Sequence, residues 1–168
     1  MKRIFVILSI ILLASACSKE EYRPNDDLYD SPDEIFAEFC LANYDLDGDG
    51  ELSTDEAFEV RSMDCSSLGI SSLYGILRFR NLEALICDNN NLRVLDISGL
   101  ENLKYLSCKG NQIEELDLRD SSLEYVYCSP MNDSSGHNVL QFVYVYFDQD
   151  FLELDVPEDT YVIALPRP

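Results

Sequence analysis

Apolar residues recur along the middle of the chain in rows of about twenty residues. One row places them at Leu82, Leu85, Cys87, Leu92, Leu95 and Ile97, with Asn90 between. The next repeats the pattern at Leu103, Leu106, Cys108, Ile113, Leu116 and Leu118, with Asn111 in the same slot. A half-row follows at Leu123, Val126 and Cys128, and a degenerate first row runs through Val60, Met63, Cys65, Leu68, Ile70 and Leu73. A fixed period of this length marks units that bury their apolar faces only by stacking on one another. Before the rows the pattern is helical. Ser31-Pro32-Asp33-Glu34 reads as a capping box with proline at the first helical position. The helix it opens carries Ile35, Phe36, Phe39 and Cys40 on one face. Ser53 and Glu56 form a second Ser-x-x-Glu start, leading into Ala57, Phe58 and Val60. After Cys128 the rows fail. Ser129 to Asn138 reads as a polar loop, Val139 to Phe147 as an aromatic β-rich run, and Thr160 to Leu165 as a further strand.

Between the two helical starts lies D-L-D-G-D-G-E-L-S-T-D-E, residues 45–56. Its spacing resembles the twelve-residue calcium loop of an EF-hand. The resemblance puts side-chain oxygens of Asp45, Asp47 and Asp49 at positions 1, 3 and 5. Gly50 falls at position 6, where the chain turns sharply. Glu51 offers its carbonyl at position 7, Ser53 acts directly or through water at position 9, and Glu56 closes the loop as the bidentate carboxylate. Leu52 is the inward apolar residue. The implied cofactor is Ca²⁺, and an acidic surface turn is the plainer alternative. A lone loop implies affinity in the range of extracellular modules, about 10⁻⁴–10⁻³ M, and a structural role rather than a sensor's.

The rows follow L-x-x-L-x-C-x-x-N-x-L, which resembles the leucine-rich repeat over Val60 to Cys128. The resemblance implies a short strand per row in a parallel sheet, with the cysteines as an inward ladder of buried thiols. Equivalent side chains on neighbouring strands then lie about 4.8 Å apart, whereas a disulfide brings Cβ atoms to about 3.8 Å. Free, inert thiols are therefore expected. The residues flanking the inward Leu and Cys point outward. Ile86, Tyr105, Lys109, Tyr125 and Tyr127 make the candidate partner-binding patch, suited to a protein loop or a sugar ring. Cross-strand tyrosine packing that only stiffens the sheet is the alternative.

The N-terminus changes the setting. Lys2 and Arg3, the apolar run Ile4 to Leu13 and the small residues Ala14-Ser15-Ala16 read as an export signal too short for a permanent span. With Cys17 directly after, the segment resembles a bacterial lipoprotein lipobox, with Ala14 where leucine is usual; this implies lipidation of Cys17 and a membrane anchor. Ser18-Lys19-Glu20-Glu21 is similar to the acidic export tag of Bacteroidota surface lipoproteins. The fusion of a calcium loop to leucine-rich repeats, with Ile70 to Leu82 as its opening row, resembles a group of lipoproteins from the same bacteria.

Net charge is −20, and −22 once Lys2 and Arg3 leave with the signal. So acidic a surface repels phosphate backbones and excludes nucleic acid as a partner. No His-Glu-x-x-His, Walker, Rossmann or Gly-x-Ser-x-Gly pattern occurs, and the single histidine, His137, lies in the polar loop. No enzyme is expected.

The expected fold class is α+β: an N-terminal EF-hand helix-loop-helix capping a short leucine-rich-repeat solenoid with a parallel β-sheet, and a β-rich C-terminal cap. The divisions are a signal peptide (1–16), lipidated Cys17 with a disordered tether (17–30), the calcium-binding cap (31–62), the repeats (60–128) and the C-terminal cap (129–168). The expected role is a calcium-binding, surface-anchored outer-membrane lipoprotein, a monomer that binds protein through its repeat sheet. An accessory glycan-binding lipoprotein of a nutrient-uptake system is the alternative.

Overall fold

A computed structural model of the chain describes residues 32–131 and 139–168. The signal, Cys17, the tether, Ser31 and His137 lie outside the described residues. Two helices open the fold, α1 (Glu34–Tyr44) and α2 (Thr54–Glu59). The first begins differently from expectation. Asp33 is its N-cap, accepting the Phe36 N–H at 3.1 Å, so Pro32 precedes the cap rather than following it. Ser53 caps α2 in a full capping box with Glu56. Phe36 and Cys40 are buried as the helical spacing predicts, but Ile35 is 44% exposed and Phe58 50%.

Eight short strands follow: β1 (Ser62–Asp64), β2 (Ala84–Ile86), β3 (Tyr105–Ser107), β4 (Glu115–Asp117), β5 (Tyr125–Tyr127), β6 (Phe142–Tyr146), β7 (Glu153–Asp155) and β8 (Tyr161–Leu165). All pair in parallel. The first sheet has the order β1-β2-β3-β5-β7 and the second β4-β6-β8. Each later turn contributes one strand to each sheet, so the chain winds as a parallel-sheet solenoid of about five turns. Met63, Leu85, Leu106, Val126 and Leu154 are in register on the first sheet, and Leu116, Val143 and Val162 on the second. The residues of these columns from Met63 to Val143 are fully buried, and Leu154 and Val162 are half-buried.

The row spacing works because the asparagines close it. Asn90 Oδ1 accepts the N–H groups of Leu68, Gly69 and Ile70 at 3.0–3.1 Å, and its Nδ2 donates to the carbonyls of Cys65 and Cys87. Asn111 repeats the device one row on, donating to the Cys87 and Cys108 carbonyls and accepting the Leu92 N–H. Buried backbone groups of the bend, which no strand can pair, are satisfied this way. Gly110 has φ +67°, where a side chain is strained, and a Cβ there would collide with the Asn89 side chain unless it moved.

The solenoid continues past Cys128, where the leucine pattern becomes illegible. Strand β7 adds a fifth strand to the first sheet, and Val156 occupies the place that cysteine holds in earlier rows, its neighbour Asp155 accepting the Cys128 N–H. Met131 takes the asparagine slot and is fully buried. The helices pack on the other end. Phe36, Cys40, Ala57 and Val60 join the core with Met63 and Cys65, Tyr44 meets Phe79 edge-on, and Asn81 donates to the Phe58 carbonyl. No helix among the described residues is long and apolar enough to cross a membrane.

Candidate functional site

Two places carry the residues singled out from the sequence. The first is the loop between the helices. Asp45, Asp47 and Asp49 converge, with one carboxylate oxygen of each within 4.8 Å of the others. Their charge is braced by the backbone: Asp45 accepts the N–H groups of Gly48 and Gly50, Asp47 that of Asp49, and Asp49 that of Glu51. Gly50 has φ +86°, a conformation that excludes most side chains. The position-6 glycine of the motif thus has its physical reason.

Glu56 does not join the three aspartates. Its Oε1 accepts the Leu46 N–H at 2.6 Å and the Asp47 N–H at 3.3 Å, and its Oε2 accepts the Ser53 N–H and hydroxyl at 2.8 and 2.7 Å. The bonds from Ser53, then from Leu46, hold its carboxyl down at about 2. It is buried and ties the start of the loop to α2. Glu51 and Ser53 are exposed. A cleft of about 230 Å³, lined by Tyr44, Leu46, Glu56 and Arg61 among others, opens between the loop and β1. Three gathered carboxylates are oxygen donors of the kind a hard cation takes, and exposed acidic turns carry them without one. Asp45, Asp47 and Asp49 would hold it, and it would supply charge neutralisation where three like charges meet.

The second place is the outward face of the first sheet. Register aligns Ser62, Ala84, Tyr105, Tyr125 and Glu153 in one column, and Asp64, Ile86, Ser107, Tyr127 and Asp155 in the next. Tyr105 lies 6.4 Å from Tyr125 and 5.5 Å from Tyr127, centroid to centroid, in tilted contact. Lys109 Nζ sits 5.4 Å from the Tyr127 ring centroid and 3.9 Å from Asp88 Oδ2. Tyr127 donates to Glu153 Oε2 at 2.7 Å, and that bond, with desolvation, pushes its phenol up to about 12. The predicted patch residues Tyr105, Tyr125, Tyr127 and Lys109 are brought together, and all are half-buried. Ile86 is half-buried one strand away. Ser107, counted as outward, is 1% exposed, with its hydroxyl donating to Asp88 Oδ1 at 2.7 Å.

The cysteines lie inside. Cys65, Cys87, Cys108 and Cys128 are all fully buried and free. Cys108 and Cys128 approach closer than the strand spacing suggests, with sulfurs 3.3 Å apart and a thiol hydrogen bond between them. Burial pushes the thiols of Cys40 and Cys65 up to about 12 and raises that of Cys87 well above its ordinary value, while Cys108 is raised first by its bond to Cys128 and then by burial.

A third feature escaped the sequence reading. On the second sheet Phe142 stacks with Tyr144 at 6.4 Å and with Tyr161 at 5.9 Å, the planes within 28°. Arg119 lies over Tyr144 at 5.8 Å. The aromatic run was legible, but the register that aligns Tyr161 with Phe142 was not.

The parallel sheets, the inward cysteine column and the bend asparagines together make a solenoid of repeating turns. Among curated proteins the chain has weak homology to Internalin J of Listeria monocytogenes, a leucine-rich-repeat protein, at 33% identity over 67 residues. That stretch is 40% of this chain and 7% of Internalin J, so the chain spans a small part of the relative's length. The solved functional domain of InlJ from Listeria monocytogenes, described as including a cysteine ladder, is similar at 28% identity, with a TM-score of 0.46. The likeness covers 66% of this chain and 26% of that one. No family model matches.

Proposed function

We propose that the chain is a surface-anchored binding protein, not an enzyme, whose first sheet takes a protein partner through Tyr105, Tyr125 and Tyr127, with Ile86 and Lys109 at the margin. The observation that carries this is the contiguous cluster of half-buried tyrosine rings on the outward face of a solenoid sheet. Tyrosine offers a large, stiff contact area at small entropic cost, and solenoids use such faces for binding. Similarity to a leucine-rich-repeat protein fits a binding or adhesion role. The anchor is a lipid on Cys17, the place the outer membrane, and the molecule a monomer.

Ca²⁺ completes the reading. Held by Asp45, Asp47 and Asp49 with Glu51 and Ser53, and with Glu56 once its carboxylate leaves its bonds to Leu46 and Ser53, it would make the helical end an EF-hand cap. The motif spacing supports this, with the left-handed Gly50 at the turn the motif requires. An accessory glycan-binding role is the second reading, favoured by the stacked rings of Phe142, Tyr144 and Tyr161, which offer sugar rings a flat apolar platform.

Beads bearing the protein, presented to bacterial and epithelial surfaces, test the first reading. Adhesion that is lost on protease treatment of the surface and on Tyr125→Ala supports it; adhesion indifferent to Tyr125 sinks it. Loss on glycosidase treatment and on Tyr161→Ala, with Tyr125→Ala neutral, transfers the role to the second sheet. Calorimetric titration with Ca²⁺ tests the metal. One site near 10⁻⁴–10⁻³ M, abolished by Asp45→Ala, is the expected result, and no heat above dilution reduces the loop to an acidic turn.

A further inference from the structure

The tyrosine cluster is not evenly set in its surroundings. On the first sheet it is flanked by Ala84 and Ile86 of β2, with Asp64 one strand beyond, and on the other side directly by Glu153 and Asp155 of β7. The cation on this face, Lys109, is already engaged by Asp88 and the Tyr127 ring. Among the described residues none of Asp64, Glu153 and Asp155 forms an ion pair. Glu153 is exposed, yet its carboxylate is oriented, because the Tyr127 hydroxyl donates to one of its oxygens and leaves the other open. Glu153 is also in direct register with Tyr125 on the adjoining strand. A flat ring and a fixed carboxylate thus stand side by side.

We infer that the partner presents a basic segment, with an arginine stacked on Tyr125 and paired to Glu153. This rests on the reading of the tyrosine face as the binding site and names the chemistry of what it binds. A guanidinium is planar, weakly hydrated and forked, so it can lie on an aromatic face and still offer N–H groups to a carboxylate. Lys109 above Tyr127 is an internal instance of a cation held on this face. An acidic partner would meet the carboxylates of β7 and a chain of net charge −20, and be repelled. A neutral sugar would use the rings and donate hydroxyls to the carboxylate, but it would leave the negative charge of this edge uncompensated.

The probe is a synthetic peptide of alternating arginine and glycine, titrated against the full chain beside its lysine and glutamate counterparts. The arginine peptide should bind and the glutamate peptide should not, with lysine several-fold weaker than arginine. Glu153→Gln and Tyr125→Ala should each weaken binding about tenfold. Tyr127→Phe, which keeps the ring but frees Glu153, should weaken it about threefold. A basic peptide will adhere loosely to any acidic protein, so Glu34→Gln with Glu38→Gln on α1 serves as the control. That pair should leave affinity within about twofold, because screening confines charge effects to about 8–10 Å. Equal weakening by the α1 pair, or indifference to Glu153→Gln, overturns the inference. The two levels separate in the bead assay. Adhesion that needs Tyr125 but ignores both Glu153→Gln and competing arginine peptide leaves the face a binding site for another chemistry. Adhesion that ignores Tyr125 removes the site itself.

Discussion

The two ends of the solenoid are finished by different means. At the start, two helices lay Phe36, Cys40, Ala57 and Val60 over the first turn, and Met63 and Cys65 beneath them are fully buried. Asp33 caps α1 and also accepts the Ser71 N–H and hydroxyl at 2.7 and 2.6 Å, fastening helix to repeat. At the far end no helix appears among the described residues. In the last described turn Leu154, Val162 and Ala164 are half-buried and Val156 is 6% exposed. The tail is held by polar contacts: Arg167 pairs with Asp148 at 2.9 Å and lies 4.6 Å from the Tyr146 ring centroid, while Gln149 donates to the Leu118 carbonyl. A solenoid must hide the apolar layer at each end. Among the described residues the first end carries an added element, whereas the last turn has fewer leucines and more polar contacts.

The sharpest way to break this comparison is to truncate one anchor at each end. Phe36→Ala removes a nearly fully buried ring and should cost about 3–4 kcal/mol, whereas Val156→Ala, on a half-closed layer, should cost about 1–2 kcal/mol. Denaturant melts of the two variants measure the difference. Equal costs would show that the C-terminal end is covered as completely as the N-terminal one.

A second pair compares the polar closures. Asn90→Ala strands buried N–H groups of the preceding bend and should cost about 3 kcal/mol. Thr160→Val removes the 2.8 Å bond to the Leu140 carbonyl at the later end and should cost about 1 kcal/mol. Melts read both, and hydrogen exchange at Leu68 to Ile70 should rise in the first variant alone.

The smallest effect at neutral pH concerns the thiols that run between the ends. Cys40 and Cys65, held up at about 12 by burial, stay protonated when the same thiols of the unfolded chain ionise near 9.0. Their folded pKa is raised, so the stabilisation is complete below about pH 9 and is lost as pH climbs towards 12. Thermal melts should therefore be insensitive to these groups up to about pH 8.5 and fall above it. A thiol reagent at pH 8 should leave Cys40, Cys65, Cys87, Cys108 and Cys128 unmodified until denaturant is added; ready reaction in the native chain would mean the ladder opens.

Much of the first four turns was legible because each row repeats the same letters in the same places. Leu85 and Leu106, Cys87 and Cys108, Asn90 and Asn111 announce a stack, and the stack dictates which side chains face in. The capping box at Ser53 and the glycine of the acidic loop were legible for a similar reason: each answers a local backbone requirement. The later turns were not. Val156 stands for cysteine and Met131 for asparagine, and a valine or methionine is apolar in any fold, so neither marks a register. The expected boundary between the repeats and the C-terminal β cap accordingly fell at the last cysteine, while the first sheet goes on to β7.

The sequence by itself determined the rows, the inward thiols, the tyrosines on the outward side and the acidic loop, because periodicity and turn chemistry act over a few residues. Only the tertiary structure decided that Glu153 stands beside Tyr125, that Tyr161 stacks on Phe142, that Cys108 and Cys128 touch, and that Glu56 bonds to the backbone instead of joining the aspartates. Those contacts join residues from separate turns or across a loop. Their partners are chosen by register and by competition for buried hydrogen bonds, which no stretch of sequence carries alone.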